Sequence, residues 1–469
     1  MALIVGICLA ERIGDSIALA TACGGAVATG WRRRPAVSLA GLMVAAASCG
    51  VLVTAPRTAA VPLERLAERV PRCAIEGRLL EHAGGLGSLV AAEVVTCEGY
   101  ATGRRAGVLV IDPPEQDPGA AIGITGWLLP LRRGDRFDDA RRRLGAHAGF
   151  HVEEADTIEM PEGLHAVAAE VRAGLARSSE GMEAERAGLL SGLTTGDTTG
   201  MGLHTEDQLR RAGLSHLVAV SGSNVAIVVG AAALMVARCA LWIRVAVCLC
   251  ALVLFVLVVG PEPSVLRAAA MGVVGLSALA AGRRSEPLHA LGLALIVVLA
   301  LRPGLVFSVG LHLSAAATAG IVLFSGGFAR RMGFLPRPVA LVLAATLAAQ
   351  LAVSPVLVGT FGEFSVVAPV ANLLAVPAVA PATVLGVGAA VAGALLAPLG
   401  WLSARVAEPW VAWVLAVGRT TGSWSWASIE VPEWWGWPLG ALVSAAAAAS
   451  LRRSARSQAE PKLPVSSAA

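Results

Sequence analysis

Charged residues are scarce in this chain, and their scarcity indicates its class. They make up 15% of the 469 residues, whereas 56% are hydrophobic and the mean hydropathy is +0.70. A soluble domain carries about a quarter charged residues, so the composition predicts an integral membrane protein. Lys462 is the only lysine, and no aspartate follows Asp207. A net charge of +4 is too small to indicate a nucleic-acid partner by itself.

The sequence also lacks a nucleotide-binding motif and a clear secretory signal. The Gly- and Thr-rich residues 192–200 contain no Gly-Lys-Ser/Thr, so they do not form a nucleotide-binding P-loop. We therefore expect any motor to be a partner. The apolar first ten residues have no basic stretch before them and are followed by Glu11, Arg12 and Asp15, which makes a poor secretory signal.

Apolar runs predict membrane spans over most of the chain. The first two, 16–30 and 35–55, flank Arg32-Arg33-Arg34, which the positive-inside rule places in the cytoplasm. The later predicted spans are 214–237, 240–259, 264–281, 288–301, 305–325, 339–361, a proline-broken 366–398, 406–418 and 437–451. The fold class is thus a polytopic α-helical membrane protein with about ten or eleven spans. The count is least defined around Pro377 and Pro381.

The pattern changes between residues 57 and 160. Alternating runs at 74–80, 89–96, 107–111 and 121–128 predict a small all-β domain of four or five strands, either a barrel or a sandwich. The arginine rule places it outside the cell, where Cys73 and Cys97 would form a disulfide; two buried thiols are the alternative. His147 and His151 have the i, i+4 spacing of metal ligands on a helix, but Gly149 and a loop setting argue against a metal site.

These patterns divide the chain into five parts. They are N-terminal transmembrane helices (1–56), an extracellular β domain (57–160), an amphipathic helix along the membrane surface with a polar connector (161–212), a transmembrane domain (213–451) and a cytoplasmic tail (452–469).

Motifs spread over most of the chain carry a family resemblance. They are Thr195-Gly196-Asp197, Leu209-Arg210-Arg211-Ala212-Gly213-Leu214-Ser215-His216-Leu217, Ser221-Gly222, Pro263-Ser264 with Arg267-Ala268, Gly282-Arg283-Arg284 with Pro287, Arg302-Pro303 with Val309-Gly310, Leu313-Ser314, and Pro369 with Asn372-Leu373-Leu374-Ala375 and Pro377. In this order they resemble the ComEC-type competence proteins, the inner-membrane channel of bacterial DNA uptake. Upstream, residues 136–142 resemble the end of that family's OB-like domain. Asn224 and His312 differ from the histidine and glutamine that are commoner there.

The resemblance implies a channel that moves single-stranded DNA into the cytoplasm during natural transformation. Its implied partners are single-stranded DNA, membrane lipids, a membrane-anchored DNA receptor, pilus machinery, a cytoplasmic helicase-like ATPase and a second copy of the chain. Many members end in a metallo-β-lactamase-like domain, but no His-x-His-x-Asp-His pattern occurs in these 469 residues. We therefore expect no enzymatic activity, no cofactor and no metal, with a separate nuclease.

The resemblance and the cost of burying polar groups in a membrane predict a DNA path. Its residues are His216, Ser221, Ser264, Arg267 and His312, with Arg283 and Arg284 at the cytoplasmic mouth; Thr195 and Asp197 would shape the external entrance.

Structural alternatives accompany each of these assignments. Arg267 would contact phosphates, or else reach the interface or pair with Glu262. Hydrogen bonds between helices are the alternative for His216 and Ser221, and a hydrolytic Ser–His pair is disfavoured without a nucleophile elbow. The β domain would bind the strand through basic residues between 132 and 143, or act as a cap.

A different class of function also fits the pattern. A secondary transporter or lipid flippase would explain the proline-broken span and the few charges available for a pore. A path about 10 Å wide lined by arginines would favour DNA, whereas a closed pocket at the membrane midplane would favour a small solute.

Overall fold

The computed structural model describes residues 67–68, 70, 72–82, 88–97, 100–102, 106–110, 119–132, 138, 141, 146–198, 200–218, 220–283, 286–302, 305–306 and 308–459. The predicted N-terminal helices at 1–56, Arg284 and the last ten residues of the predicted tail lie outside these residues.

Six strands form one sheet in the first described part of the chain. They are β1 (Arg72–His82), β2 (Ser88–Cys97), β3 (Tyr100–Thr102), β4 (Ala106–Val110), β5 (Ala121–Leu129) and β6 (Gly149–Glu159). The pairings run from β1 to β5, β6, β4, β2 and back to β1, with β3 beside β2. All are antiparallel except β4 with β6. The sheet is therefore a closed five-stranded barrel, and the sandwich alternative is wrong.

Alternation of apolar and polar residues builds the core of the barrel. Ile75, Ile122, Ile124 and Phe150 are fully buried, because successive side chains on a strand point to opposite faces. Cys73 and Cys97 lie opposite each other on β1 and β2 and form a disulfide.

The histidine pair considered for a metal does not lie on a helix. His151 is in β6 and His147 precedes that strand, so the helical spacing of metal ligands is not realised.

Helices make up most of the remaining described residues. They are α1 (Leu164–Ser178), α2 (Ala184–Thr194), α3 (Leu203–Arg211), α4 (Ser215–Val218), α5 (Gly222–Met235), α6 (Leu241–Val259), α7 (Pro263–Ala280), α8 (Pro287–Leu301), α9 (Val309–Arg331), α10 (Arg337–Phe361), α11 (Ala368–Leu395), α12 (Ala397–Gly422) and α13 (Gly436–Ala459). The strands β7 (Glu363–Ser365) and β8 (Ser428–Glu430) pair near a short 3-10 helix, Glu433–Trp435.

Five of these helices are long and apolar enough to cross a membrane: α6, α7, α9, α10 and α11. The helices α5 and α8 are apolar but shorter. The chain is thus a mostly helical membrane protein, and the count of ten or eleven spans stays a prediction.

Two predicted spans differ from the helices that form. Residues 214–237 are interrupted, since α4 ends at Val218 and α5 begins only at Gly222. Residues 366–398 were predicted to break at Pro377 and Pro381, but α11 is continuous through both. Buried small residues on both sides of the prolines keep the helix packed, so the lost hydrogen bonds do not end it.

The helix α1 packs closely against α11. Its predicted position along the membrane surface stays a prediction. A β-carbon at Gly174 would come within 2.5 Å of the carbonyl oxygen of Ala390 on α11. Ser178 Oγ donates hydrogen bonds to the carbonyls of Gly174 and Ala389 at 2.7 and 3.1 Å. Glycine and serine allow this close approach of two backbones.

Candidate functional site

A polar cluster forms where α5, α7 and α9 meet. We call it the Arg267 cluster, and its members are Ser221, Gly222, Ser223, Arg267 and Ser314. These residues come from three separate parts of the sequence, and the two motif groups Ser221-Gly222 and Arg267-Ala268 are among them. The fold therefore brings together residues that were predicted to line one path.

Among the arginines of the described residues, only Arg267 is buried, with 5% of its surface exposed. Its Nε donates to Ser314 Oγ at 2.9 Å, and its Nη1 donates to the sulfur of Met271 at 3.2 Å. No carboxylate of the described residues lies within 4.0 Å of its guanidinium, so the suggested pairing with Glu262 is wrong. Nor does Arg267 extend out to a surface.

The first turn of α5 lies against this guanidinium. A β-carbon on residue 222 would be 2.6 Å from Arg267 Nη2 and 3.2 Å from the β-carbon of Ala268. Glycine at position 222 thus leaves room for the guanidinium end, which a β-carbon would displace, and it is not needed for backbone conformation. Ser221 Oγ and Ser223 Oγ share a hydrogen bond of 2.5 Å, and Ser223 is exposed.

Two further hydrogen bonds fix the start of α5. Ser264 Oγ on α7 donates to the carbonyl of Val220 at 2.9 Å. Asn224 is fully buried, and its Nδ2 donates to the carbonyl of Leu193 at the end of α2 at 3.0 Å. Sequence reasoning treated Asn224 only as a departure from a family pattern; here it ties α5 to α2.

The predicted entrance residues lie in the turn after α2. Thr195 is buried and its hydroxyl donates to the carbonyl of Ser191 at 3.0 Å, whereas Asp197 is exposed. Between them, a β-carbon on Gly196 would be 3.4 Å from Val220, two residues before Gly222. This turn thus lies beside the start of α5.

Other predicted path residues lie elsewhere. His216 is exposed on α4 and hydrogen bonds to the backbone of Gly213. His312 hydrogen bonds to the backbone of Val306, so it is turned away from Ser314 on the same helix. Arg283 follows the far end of α7, and a rise of about 1.5 Å per residue separates it from Arg267 by more than about 20 Å. The structure therefore does not bring His312 or Arg283 into the cluster.

A second arginine site, which we call the surface clamp, joins Asp207, Arg210 and Glu363. Arg210 on α3 pairs with Asp207 at 2.6 Å and also with Glu363 on β7. The Arg210 hydrogen bond is the largest cause that lowers the pKa of Asp207, and the two carboxylates raise the pKa of Arg210. Ser365 Oγ donates to the carbonyl of Arg211 at 2.8 Å, so the clamp holds α3 against the β7–β8 strand pair.

The solvent-facing side of strand β6 in the barrel is acidic. Glu153, Glu154 and Asp156 on β6 are exposed. Trp127 Nε1 donates to Glu153 at 2.8 Å, which lowers the pKa of that carboxyl, and Arg72 pairs with it at 2.8 Å. The indole N–H of Trp127 is thus bonded to a carboxylate, while 38% of the residue stays exposed.

Only part of the predicted basic stretch of the barrel can be described. Arg141 pairs with Asp138 at 3.0 Å, and Arg132 is exposed. Arg133, Arg136, Arg142 and Arg143 lie outside the described residues.

An apolar cavity of about 530 Å³ lies among α9, α10, α13 and the β7–β8 strand pair. Its polar lining residues, Gln350 and Ser354, donate hydrogen bonds to the carbonyls of Ser365 and Leu351. The cavity has none of the predicted path residues in its lining.

Comparison with known proteins identifies the family of the region that carries these motifs. Residues 193–456 match the family model described as "Competence protein", and that range is more than half of the chain. The chain belongs to the competence protein family. It is also similar to ComE operon protein 3 of Bacillus subtilis (strain 168), with 30% identity over 237 residues, which is 48% of this chain and 29% of that protein. No solved structure matches.

The range that matches the competence model includes every member of the Arg267 cluster but not the barrel. Ser314 is a competence motif residue whose role sequence reasoning missed, since Leu313-Ser314 was noted without a partner. The sequence signal that could have identified Ser314 is a hydroxyl within an apolar helix, in a chain that also carries an arginine within an apolar segment.

Proposed function

We propose that this competence protein acts in DNA uptake and that its helical domain conducts one strand of DNA into the cytoplasm. The observation that carries the proposal is the Arg267 cluster. Its buried guanidinium donates to the Ser314 hydroxyl, lies against Gly222 between two serines, and has no carboxylate partner among the described residues. Burying a cation without a counterion is costly. A strand whose every nucleotide carries a negative charge supplies that counterion as it passes.

The roles of the individual residues follow from their positions. Arg267 contacts a phosphate, Ser223 offers an exposed hydroxyl beside it, and Ser264 and Asn224 hold α5 in place. Thr195 and Asp197 shape the approach to the start of α5. Arg283 and Arg284 serve the other end of the path, at the cytoplasmic side.

The barrel is proposed to be an OB-like domain outside the cell. Its closed five-stranded order supports the OB-like assignment, and the disulfide between Cys73 and Cys97 supports an oxidising compartment. The exposed carboxylates of β6 repel a polyanion, so this face serves assembly with other uptake proteins and not strand binding.

The remaining proposals concern what other molecules provide. The helical domain neither hydrolyses nucleotides nor degrades DNA, so a helicase-like ATPase and a nuclease act as partners beside a membrane-anchored receptor and a pilus. The transporter alternative loses one of its two supports, because α11 is continuous through Pro377 and Pro381. The small number of charges available for a pore is its other support.

Deletion of the gene from a host that takes up DNA tests the proposal. Double-stranded DNA with one labelled strand is added, and label in protected single strands in the cytoplasm is measured. We expect this label to be lost in the deletion strain and restored by the wild-type gene. Normal arrival of single strands without the protein would reject the proposal.

The variant Arg267→Ala tests the cluster itself, with Arg210→Ala as the matched control. We expect the first to reduce uptake at least about tenfold, as for loss of about 1.4 kcal/mol of binding. The second removes an exposed arginine that already has carboxylate partners. Equal uptake by the two variants at equal protein level would contradict the role of Arg267.

A further inference from the structure

The N-terminus of α5 lacks the capping that its sequence predicts. Serine is among the best residues at this position, because its hydroxyl normally accepts a hydrogen bond from a backbone N–H of the first turn. Ser221 occupies the position but makes no such bond. Its hydroxyl is instead bonded to Ser223 Oγ at 2.5 Å and lies 3.4 Å from Asn224 Oδ1.

The backbone donors at this helix end are therefore open. The first hydrogen bond of the turn runs from the N–H of Asn224 to the carbonyl of Ser221 at 3.0 Å. Within the described residues, the N–H groups of Gly222 and Ser223 have no backbone acceptor. The aligned peptide dipoles give such an end roughly half a positive charge.

A buried cation points at this same end. Arg267 is 95% buried, and its Nη2 has no hydrogen-bond partner in the part of the chain that the structure describes. That nitrogen lies 2.6 Å from the position of a β-carbon on Gly222. The absent side chain of Gly222 is what leaves room for it.

These two features repel each other unless an anion contacts both of them. A guanidinium and the positive end of a helix both attract negative charge, and low dielectric strengthens the effect. The nearby side chains Ser221, Ser223, Ser314 and Met271 are neutral. The carboxylate that would relieve the repulsion is absent among the described residues near Arg267.

We infer that Gly222, Ser223 and Arg267 form a binding site for one oxyanion of a phosphodiester. The oxygens would accept hydrogen bonds from Nη2 of Arg267 and from the N–H groups of Gly222 and Ser223, as phosphates do at other helix ends. The exposed hydroxyl of Ser223 marks the open side. Assigning the phosphodiester to a DNA strand rests on the proposed function; a phospholipid headgroup carries the same group.

Binding is measured as the rise in Tm of the purified full chain in an uncharged detergent, followed by tryptophan fluorescence. The probes are dimethyl phosphate, a single-stranded thymidine tetranucleotide and phosphatidylglycerol, with sodium chloride at matched ionic strength to account for screening. A ligand that binds only the folded state raises Tm in a saturable way. We expect saturable rises with dimethyl phosphate and the tetranucleotide.

Two variants remove the site in different ways. Arg267→Met keeps the length of the side chain but removes its charge, and Gly222→Ala fills the space in front of Nη2. For both we expect the apparent affinity for dimethyl phosphate to fall at least about tenfold. Arg210→Ala, at the surface clamp, is the matched control and should respond like the wild type.

The same data separate an anion site from a purely structural arginine. Without added oxyanion, we expect the Tm of Arg267→Met to equal or exceed that of the wild type, because the repulsion at the helix end is gone. A lower Tm together with an unchanged response to dimethyl phosphate would overturn the inference, as would no response in the wild type. If either variant fails to fold, the other provides the comparison.

Comparing the Tm responses to the three probes tests which molecule supplies the phosphodiester. An Arg267-dependent rise with phosphatidylglycerol but not with the tetranucleotide would overturn the assignment to a DNA strand. Normal DNA uptake in the deletion strain would reject the proposed function, whereas an Arg267-dependent rise with dimethyl phosphate would still establish the anion site.

Discussion

Arg210 and Arg267 lie in two regions of the same domain that treat an arginine in opposite ways. In the surface clamp, Arg210 is half exposed and has two carboxylates, Asp207 and Glu363. In the Arg267 cluster, the arginine is 5% exposed and its protein partners are a hydroxyl and a thioether sulfur. The exposed arginine has carboxylate counterions, whereas the buried arginine has none among the described residues.

This difference indicates the role of each arginine. An exposed and fully paired arginine joins two segments, here α3 and β7, and contributes little free energy. A buried arginine without a carboxylate destabilises the fold unless something else compensates its charge. The compensation proposed here comes from the transported strand, which would explain why no side chain in the described part of the chain provides it.

The variant Ser314→Asp should give the largest effect, because it makes the buried region resemble the clamp. A carboxylate at this position would lie next to Arg267 Nε, now 2.9 Å from the serine oxygen. We expect DNA uptake to fall roughly ten- to hundredfold, in line with about 1.5–3 kcal/mol for a charged hydrogen bond, while Tm stays equal or rises. Uptake of labelled DNA and Tm of the purified protein are measured together.

Ser314→Asn is the control for that change, since it alters size without adding charge. A similar loss of uptake in both variants would mean that the space around Arg267 matters and its charge does not.

The variant Asn224→Ala separates the support of the cluster from its charge. Asn224 is a fully buried polar residue with a partner, because its amide donates to the carbonyl of Leu193. Its loss leaves a buried carbonyl unpaired and should cost about 1–3 kcal/mol of unfolding free energy. Thermal or denaturant unfolding of the purified protein measures this, and an unchanged Tm would show that the start of α5 does not depend on this bond.

The variant Arg210→Ala should lower stability by at most about 1 kcal/mol, since both ion pairs are half exposed. Uptake should change less than about twofold at equal protein level. A loss of uptake as large as that of Arg267→Ala would remove the distinction between the two regions.

The smallest effect concerns pH. The Arg210 hydrogen bond lowers the pKa of Asp207 in the folded protein. The pair therefore stabilises the fold above the unfolded pKa of about 3.9, and this contribution is lost as the pH falls through the lower folded value. Tm of wild type and Asp207→Asn should differ by the same small amount from pH 5 to 8 and converge below about pH 4. A difference that grows at low pH would contradict this.

Much of the helical domain is predictable from local sequence. Apolar length predicted the spans near α6, α7, α9 and α10, because a helix needs about 20 apolar residues to cross a bilayer. Prolines misled the prediction at α11, where packing on both sides of Pro377 and Pro381 outweighs the local break. In the barrel, β6 was missed because the consecutive exposed carboxylates Glu153 and Glu154, at a register shift in the β5–β6 pairing, break the alternation.

The candidate site was predictable in its residues but not in its contacts. Arg267, Ser221 and Ser264 stand out as polar groups in apolar segments. The contact of Arg267 with Ser314 and its approach to Gly222 depend on how α5, α7 and α9 pack, which local patterns do not encode. His312 has the same polarity signal as Ser314, yet it faces Val306.

The open amides at the beginning of α5 have a consequence for what passes them. Backbone N–H groups and a guanidinium would bind the sugar–phosphate chain, which is identical in every nucleotide, and leave the bases unread. A gate built this way accepts any sequence, related or foreign. Discrimination among incoming genes would then fall to steps before or after the membrane.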